Sequence, residues 1–565
     1  MIDLLCLKIF FTKIKIHNMK QNIKSLIVLV LLSVFSTACQ KDFLDEKLYS
    51  SFAPESLTDA LAFDAALIGL QNKFSEWHTF TGDQGWLACW QVGTDVAYNK
   101  APADLDIWMV PYTNYASLTS TDPAASYAWT WAYQIINNAN TIIAGIESST
   151  NTVPDATKKA INGEARFYRA LAYNTLATVF GSVPIIKTPI TGPKTDFTRS
   201  KIAELNQFII DDLNFAATNL PTIENVKTNS KGKRYSSAHS AMANQLLAEV
   251  LLRTGGKDAD AEAACNAVIN SKDFSLTSAR FGVKSGAPGD AFADMFIYGN
   301  QRRSQGNKEA IWVLEMENPN TVIGGTGSNS APGVGTTGIP QQRRVWGSRY
   351  HQQAGMLLCD SLGGRGISRL ALTNWVLNGI YETKDMRNSP YNLRRDYYYN
   401  NPTYARYGQK VNPNEAGVDT NRFIVPQINK WNQYDPNDAF GFAMIKDFII
   451  MRLGETYLLK AEAQFKQGKL AEAAATLNIL RARANATPIT STDVTMDFIL
   501  DERVRELIGE ENRRMTLMRT GTLVSRVVGR GQKITGVTAN NLLLPIPLSE
   551  IQLNKDATLE QNPGY

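Results

Sequence analysis

Between Phe74 and Ser126 the chain concentrates rings: Trp77, Phe80, Trp86, Trp90, Tyr98, Trp108, Tyr112 and Tyr115. Polar residues are set among them: Asp83, Asp95, Asn99, Asp104 and Asp106. No helical period organises the stretch. A ring that helix packing does not claim is free to lie against a flat apolar ligand face, while carboxylates, amides and guanidiniums bond its hydroxyls. This reading selects Trp86, Trp90, Asp95, Asn99 and Trp108 as ligand-binding residues. The irregular region 340–400 adds Trp346, Arg349 and Tyr350. Together the two regions predict a preformed, shallow ligand face. The competing reading for each ring is core packing, because large aromatics are mostly buried.

Other chemistries find less support. The four histidines, His17, His78, His239 and His351, include no i,i+4 pair. Outside the first 39 residues the cysteines are Cys89, Cys265 and Cys359, with no spacing that suggests a metal knuckle or a disulfide framework. Glycoside cleavage needs two placed carboxylates, and nothing selects a pair. The Gly363-Gly364-Arg365-Gly366 cluster follows no strand and reads as a loop. No catalytic residue, metal or cofactor is predicted.

Met19 opens a secretory signal: Lys20 and Lys24, an apolar core from Ser25 to Phe35, then Ser36-Thr37-Ala38-Cys39. The core is short for a membrane span, which needs about 20 apolar residues. Small residues directly before a cysteine resemble a bacterial lipobox, cut before Cys39 and diacylated on its sulfur. Without residues 1–38 the formal charge of +5 falls to +1, with 53 basic residues facing 52 acidic ones. The remainder makes no bulk electrostatic case for nucleic acid.

The elements that must position these residues are helical. Asp447–Ala486 carries apolar positions at Tyr457, Leu458, Ala461 and Phe465, a break at Gly468, and a second stripe at Ala473, Leu477 and Leu480. Ala461, Ala463, Ala473 and Ala474 allow two antiparallel helices to cross closely. The pattern matches a tetratricopeptide helix pair, which needs stacked neighbours to bury its apolar face. A second pair joins the stripe Trp129–Ile143 to Ile161–Phe180. A third joins Ala241–Arg253 to Ala261–Ser271 across Gly255-Gly256, with Ile202–Thr218 bridging. A helix is also predicted over 55–73, an extended connector over Val183–Thr188, a strand over Ile311–Glu317 and one charged helix over Phe498–Thr520. Residues 285–446 read as a loop-rich insertion, helical only over Ser368–Ile380, with a Gly/Thr/Ser/Asn loop at Gly324–Gly338.

Five segments then carry a resemblance. They are Cys39 with Asp42-Phe43-Leu44-Asp45-Glu46; Gly163-Glu164-Ala165-Arg166-Phe167 through Phe180-Gly181-Ser182-Val183-Pro184; Arg452 to Ala484; Glu502-Arg503 to Arg519; and Leu544-Pro545-Ile546-Pro547 to Tyr565. In order and spacing the chain resembles the SusD/RagB family of Bacteroidetes outer-membrane lipoproteins. Met515 departs from the aromatic usual there, a difference that bears on packing. The resemblance implies a mainly α fold of about four tetratricopeptide-type helix pairs with irregular insertions. It divides the chain into a signal peptide (1–38), a lipidated tether (39–50) and one SusD-like domain (51–565). It further implies a surface-displayed, lipid-anchored protein of the outer membrane, not an enzyme. Such a protein binds glycans and delivers them to a SusC-like TonB-dependent transporter. Sugar rings present the flat C–H faces and hydroxyls that the aromatic regions suit. The alternatives are a peptide-binding lipoprotein of the same fold, a surface glycoside hydrolase and a structural helical-repeat protein.

Overall fold

Asp59 starts the first helix. Its carboxylate accepts the N–H groups of Leu61 and Ala62, both at 2.9 Å, which satisfies donors that a first helical turn leaves orphaned. Helix α1 then runs Ala60–Thr79 in the computed structural model, where 55–73 was expected. The structure describes residues 56–79, 86–101, 108–230, 232–233, 235–316, 342–433, 444 and 446–565, all within the unit Pro54–Tyr565. The signal, Cys39 and the 39–50 tether lie outside the described residues. So do Phe80, Asp83, Asp104, Asp106 and the Gly324–Gly338 loop.

Asp122-Pro123 starts the next helix in the same way, with the Asp122 carboxylate 2.7 Å from the Ala125 N–H and proline where no N–H is needed. This is α2 (Pro123–Glu147), followed by α3 (Asp155–Phe180), α4 (Ile202–Asn219), α5 (Ser240–Thr254) and α6 (Asp258–Asn270). Each packs on the one before it. Helices α5 and α6 pack in turn on α7 (Leu453–Lys466), which reverses at Gly468 into α8 (Leu470–Arg483). The three expected pairs are therefore α2/α3, α5/α6 and α7/α8, with α4 between the first two. Ala461 and Ala473 are fully buried where α7 meets α8, and Leu477 joins Leu458, Leu480 and Ile499 in one cluster.

The strands are short and antiparallel: β1 (Ala97–Tyr98), β2 (Ala310–Leu314), β3 (Ala371–Leu372), β4 (Leu393–Arg394), β5 (Gln427–Ile428) and β6 (Phe448–Arg452), paired β1–β3, β2–β6 and β4–β5. The ladder β2–β6 confirms the strand expected at 311–317 and clasps the insertion at its base. The chain leaves the scaffold along β2 and returns along β6 directly into α7. The helix expected over 368–380 is replaced by β3 and a single wide turn at Trp375–Gly379. The helix expected over 498–520 is two: α9 (Met496–Leu507) and α10 (Arg513–Arg519), followed by α11 (Leu523–Arg530). Gly509 makes the break. Its φ is +79°, and a Cβ there would stand 2.2 Å from Ile428 Cδ1, so a side chain is excluded both by conformation and by space.

Charges hold the insertion to the scaffold. Arg452, where β6 enters α7, reaches Glu506 at 2.5 Å, Glu309 at 2.8 Å and Glu510 at 2.7 Å. Arg483 of α8 also bonds Glu506, and Arg387 of the insertion bonds Glu506 at 3.0 Å and Glu502 at 2.8 Å. Within the charged stretch itself Arg505 pairs with Glu502 at 2.8 Å; the principal partners come from other elements. Burial pushes the Glu506 carboxyl up, yet the Arg483, Arg452 and Arg387 guanidiniums outweigh it and hold the group well below the usual carboxylate range.

Candidate functional site

The structure places the sequence-selected residues mainly in the core. Trp86 is 1% exposed, with its indole N–H donating to the Trp77 carbonyl at 2.8 Å and its ring edge-on to Trp77 and Tyr127. Trp90 is buried and stacked on Trp77 at 5.2 Å. Asp95 is fully buried between Arg513 (2.6 Å) and Arg526 (2.8 Å). Burial pushes its carboxyl up, but the two guanidiniums hold it below the usual range. Asn99 is buried beside the β1–β3 ladder and donates to the Arg369 carbonyl at 2.9 Å. Trp346 is buried in the one-turn helix Gln342–Trp346. The Tyr350 hydroxyl is 2.7 Å from the Cys359 carbonyl and its ring stacks on Tyr397. Six of the eight residues are thus structural, and only Trp108 and Arg349 keep partial exposure. The reason is physical. Loss of helical period marks irregular backbone, and irregular backbone packed against a scaffold still needs a core. Here 3-10 turns and two-residue strands supply rings to that core without any period to reveal it.

The residues that do face solvent lie further along the insertion. Residues 397–411 form a hairpin closed by Tyr399 N–H to Gln409 O (3.0 Å), Gly408 N–H to Tyr399 O (2.8 Å) and Val411 N–H to Tyr397 O (2.8 Å). Side chains alternate along a strand. Tyr397 and Tyr399 point inward, whereas Tyr398 stands 52% exposed, opposite Lys410, which pairs with Asp396 at 2.8 Å. Tyr407, on the same hairpin, is 58% exposed. The hairpin is held from below. The Tyr397 hydroxyl donates to the Val425 carbonyl at 2.9 Å and meets Ser348 Oγ at 2.7 Å. Tyr399 and Tyr404 close over Gly355, where a Cβ would lie 2.4 Å from the Tyr404 ring. The run Tyr397-Tyr398-Tyr399 sits in the sequence in plain view; its two-residue alternation is the signal that separates the outward ring from its inward neighbours.

A cleft of about 400 Å³ opens beside β4 and β5, with Tyr391 42% exposed at its rim. Asp294 is its one carboxylate among the described lining residues. It holds Arg280 at 2.6 Å, and Arg280 is pinned further by the Ala287 and Lys284 carbonyls. Arg394 donates Nη2 to the Ser361 carbonyl at 2.9 Å and leaves Nη1 without a partner. The arrangement offers rigidly held rings for stacking and guanidinium and amide groups for hydroxyls. It does not offer the two facing carboxylates that glycoside cleavage uses. The carboxyl that burial pushes up to about 7, Glu164, bonds Gln71 at 2.8 Å in the α1–α3 interface instead.

Comparison with known proteins agrees with this architecture. Residues 368–565 match the model of the SusD family, and residues 42–245 match a model described as starch-binding, associating with the outer membrane. SusD-like protein P25 of Formosa agariphila is 23% identical over 581 residues, covering 96% of this chain and 99% of its own. Among solved structures, a laminarin-binding SusD-like protein superposes with a TM-score of 0.66 at 21% identity, over 90% of this chain and 100% of its own. Surface glycan-binding protein A from Bacteroides thetaiotaomicron, in complex with laminarihexaose, gives a TM-score of 0.66 at 19% identity, over 89% and 100% of the two chains. The helical scaffold, the inserted loops and both matched segments lead to one conclusion: the chain belongs to the SusD/RagB family.

Proposed function

We propose that the protein captures glycans at the cell surface on the exposed rings of the 397–411 hairpin, Tyr398 and Tyr407, and delivers them to a SusC-like TonB-dependent transporter. The observation that carries this reading is the pair of large rings held out to solvent by a hairpin whose alternate tyrosines anchor it. Rings on a surface so braced stack without further ordering cost. The relatives' names support the ligand class: one binds laminarin and another is solved with laminarihexaose. Laminarin and starch fragments are therefore the first probes.

Each stacked ring is expected to contribute about 1 kcal/mol or more beyond its buried area, and about 1.4 kcal/mol is tenfold in affinity. The double substitution Tyr398→Ala, Tyr407→Ala should weaken glycan binding by at least tenfold in calorimetry, at an unchanged melting temperature, because both rings are exposed. Equal affinity in the double variant would move the site off this face.

The anchor follows from Ser36-Thr37-Ala38-Cys39. Metabolic labelling with a palmitate analogue should mark the wild type and leave Cys39→Ser unmarked; equal labelling of both would end the idea of a lipidated Cys39. The delivery step calls for a partner. Gentle detergent extraction of outer membranes and capture of the tagged protein should bring down a TonB-dependent transporter, and its consistent absence would remove the transporter from the proposal.

A further inference from the structure

Three outward side chains meet on the exposed hairpin. Along its first strand Tyr397 and Tyr399 are buried, while Asp396 and Tyr398 are exposed. Lys410 stands opposite Tyr398 on the returning strand, and its ammonium reaches the Asp396 carboxylate at 2.8 Å. Residues two apart on a strand share a face, and directly opposed partners share it too. The Tyr398 ring is therefore bordered by a carboxylate from its own strand and an ammonium from the next. The Asp396 and Lys410 side chains are 50% and 54% exposed, so the ring and both charged groups are open to a ligand.

Folding does not account for this pair. An ion pair so exposed adds little to stability, because water screens it and both side chains lose freedom. The hairpin is closed without it, by the backbone bonds of Tyr399, Gly408 and Val411, and is anchored by the Tyr397 hydroxyl on Val425 and Ser348. The second cation of the hairpin, Arg406, is taken by Glu415, so these residues offer no surplus charge to an anionic ligand. What they do offer is a strong donor and a strong acceptor side by side. The hydrogen bond to Asp396 holds the Lys410 ammonium above its ordinary value, which keeps its three N–H donors. A sugar ring stacked on Tyr398 turns its hydroxyls outward past the edge of the ring. One hydroxyl donates to the carboxylate and its neighbour accepts from the ammonium, each bond strengthened by the charge.

We propose that Asp396 and Lys410 form a polar clamp that takes two neighbouring hydroxyls of the sugar unit stacked on Tyr398. The clamp rests on the reading of this hairpin as the glycan face, and its test separates the two. Laminarin and maltohexaose are titrated into the full chain by calorimetry, beside melting curves of each variant. Asp396→Ala and Lys410→Met should each weaken the binding of whichever polymer the wild type takes by about tenfold, at an unchanged melting temperature. The double substitution Asp396→Val, Lys410→Val puts a strand-favouring pair in their place. It keeps the hairpin and removes both polar groups, so it should bind at least tenfold more weakly while melting no lower than the wild type. The clamp is overturned, and the face retained, if the double valine variant binds as the wild type does while Tyr398→Ala, Tyr407→Ala has lost the polymer. It is overturned as well if binding falls only where the melting temperature falls with it, since the pair then merely braces the strands. Equal affinity in the double tyrosine variant, or no binding of either polymer to the wild type, removes the face and the clamp together.

Discussion

Replacing Glu506 with Ala is expected to cost 3–5 kcal/mol or more, the usual consequence of leaving a buried charge without its partner. Glu506 is fully buried and receives Arg452, Arg483 and Arg387 from three different elements. Removing it leaves those guanidiniums facing one another, with Glu309, Glu502, Glu510 and Asp385 to share. The effect should fall on the join between the insertion and the scaffold. Glu506→Gln separates charge from volume: it fills the same space and should still destabilise by much of the same amount. The pH dependence has a definite sign. A carboxyl held below its unfolded value contributes stability that is fully present above that value and is lost as pH falls. The gap in unfolding midpoint between wild type and Glu506→Gln should therefore be widest above about pH 5 and narrow toward about pH 3. Urea unfolding across that range gives the answer, and a gap that stays constant or widens on acidification would contradict the charge account.

The helical scaffold was legible because its signals are local. Gly468 turns, and the stripes of α7 and α8 repeat every three to four residues, so the same short-range physics that builds the helices writes them into the sequence. The errors fall where tertiary contact decides. The stretch 498–520 is strongly helical in type, yet Ile428 presses on Gly509 and the helix ends. Ser368–Ile380 looks helical, but β3 is claimed by β1, some 270 residues away in sequence. The charged stretch reads only as one helix; in the fold the charged face of α9 is the buried centre of a network whose other members, Arg387, Arg452 and Arg483, no window around it could reveal. The same limit governs the ligand face. Composition located the aromatic regions but could not sort inward rings from outward ones. That sorting depends on which side of an irregular loop the scaffold occupies. Only the hairpin at 397–411, where alternation restores a period, carries a readable sign.

Trp86 makes the distinction between core and face measurable. Its indole is enclosed by Trp77, Trp90 and Tyr127 and spends its N–H on the Trp77 carbonyl. Trp86→Ala should leave a cavity too large for the aromatic cluster to close, because Trp77 and Trp90 are themselves fixed by stacking on each other. Large-to-small changes of this kind cost about 3–5 kcal/mol, and the Trp77 carbonyl loses its donor in addition. The expected result is a marked fall in melting temperature, with the fraction that stays folded binding glycan as tightly as the wild type. Tyr398→Ala should behave in the opposite way, with full stability and weakened binding. The pair thus assigns each ring to packing or to ligand by which measurement moves. A Trp86→Ala protein that melts normally and no longer binds would place its indole on the ligand side, and the face would then have to be rebuilt around the 86–118 region rather than the hairpin.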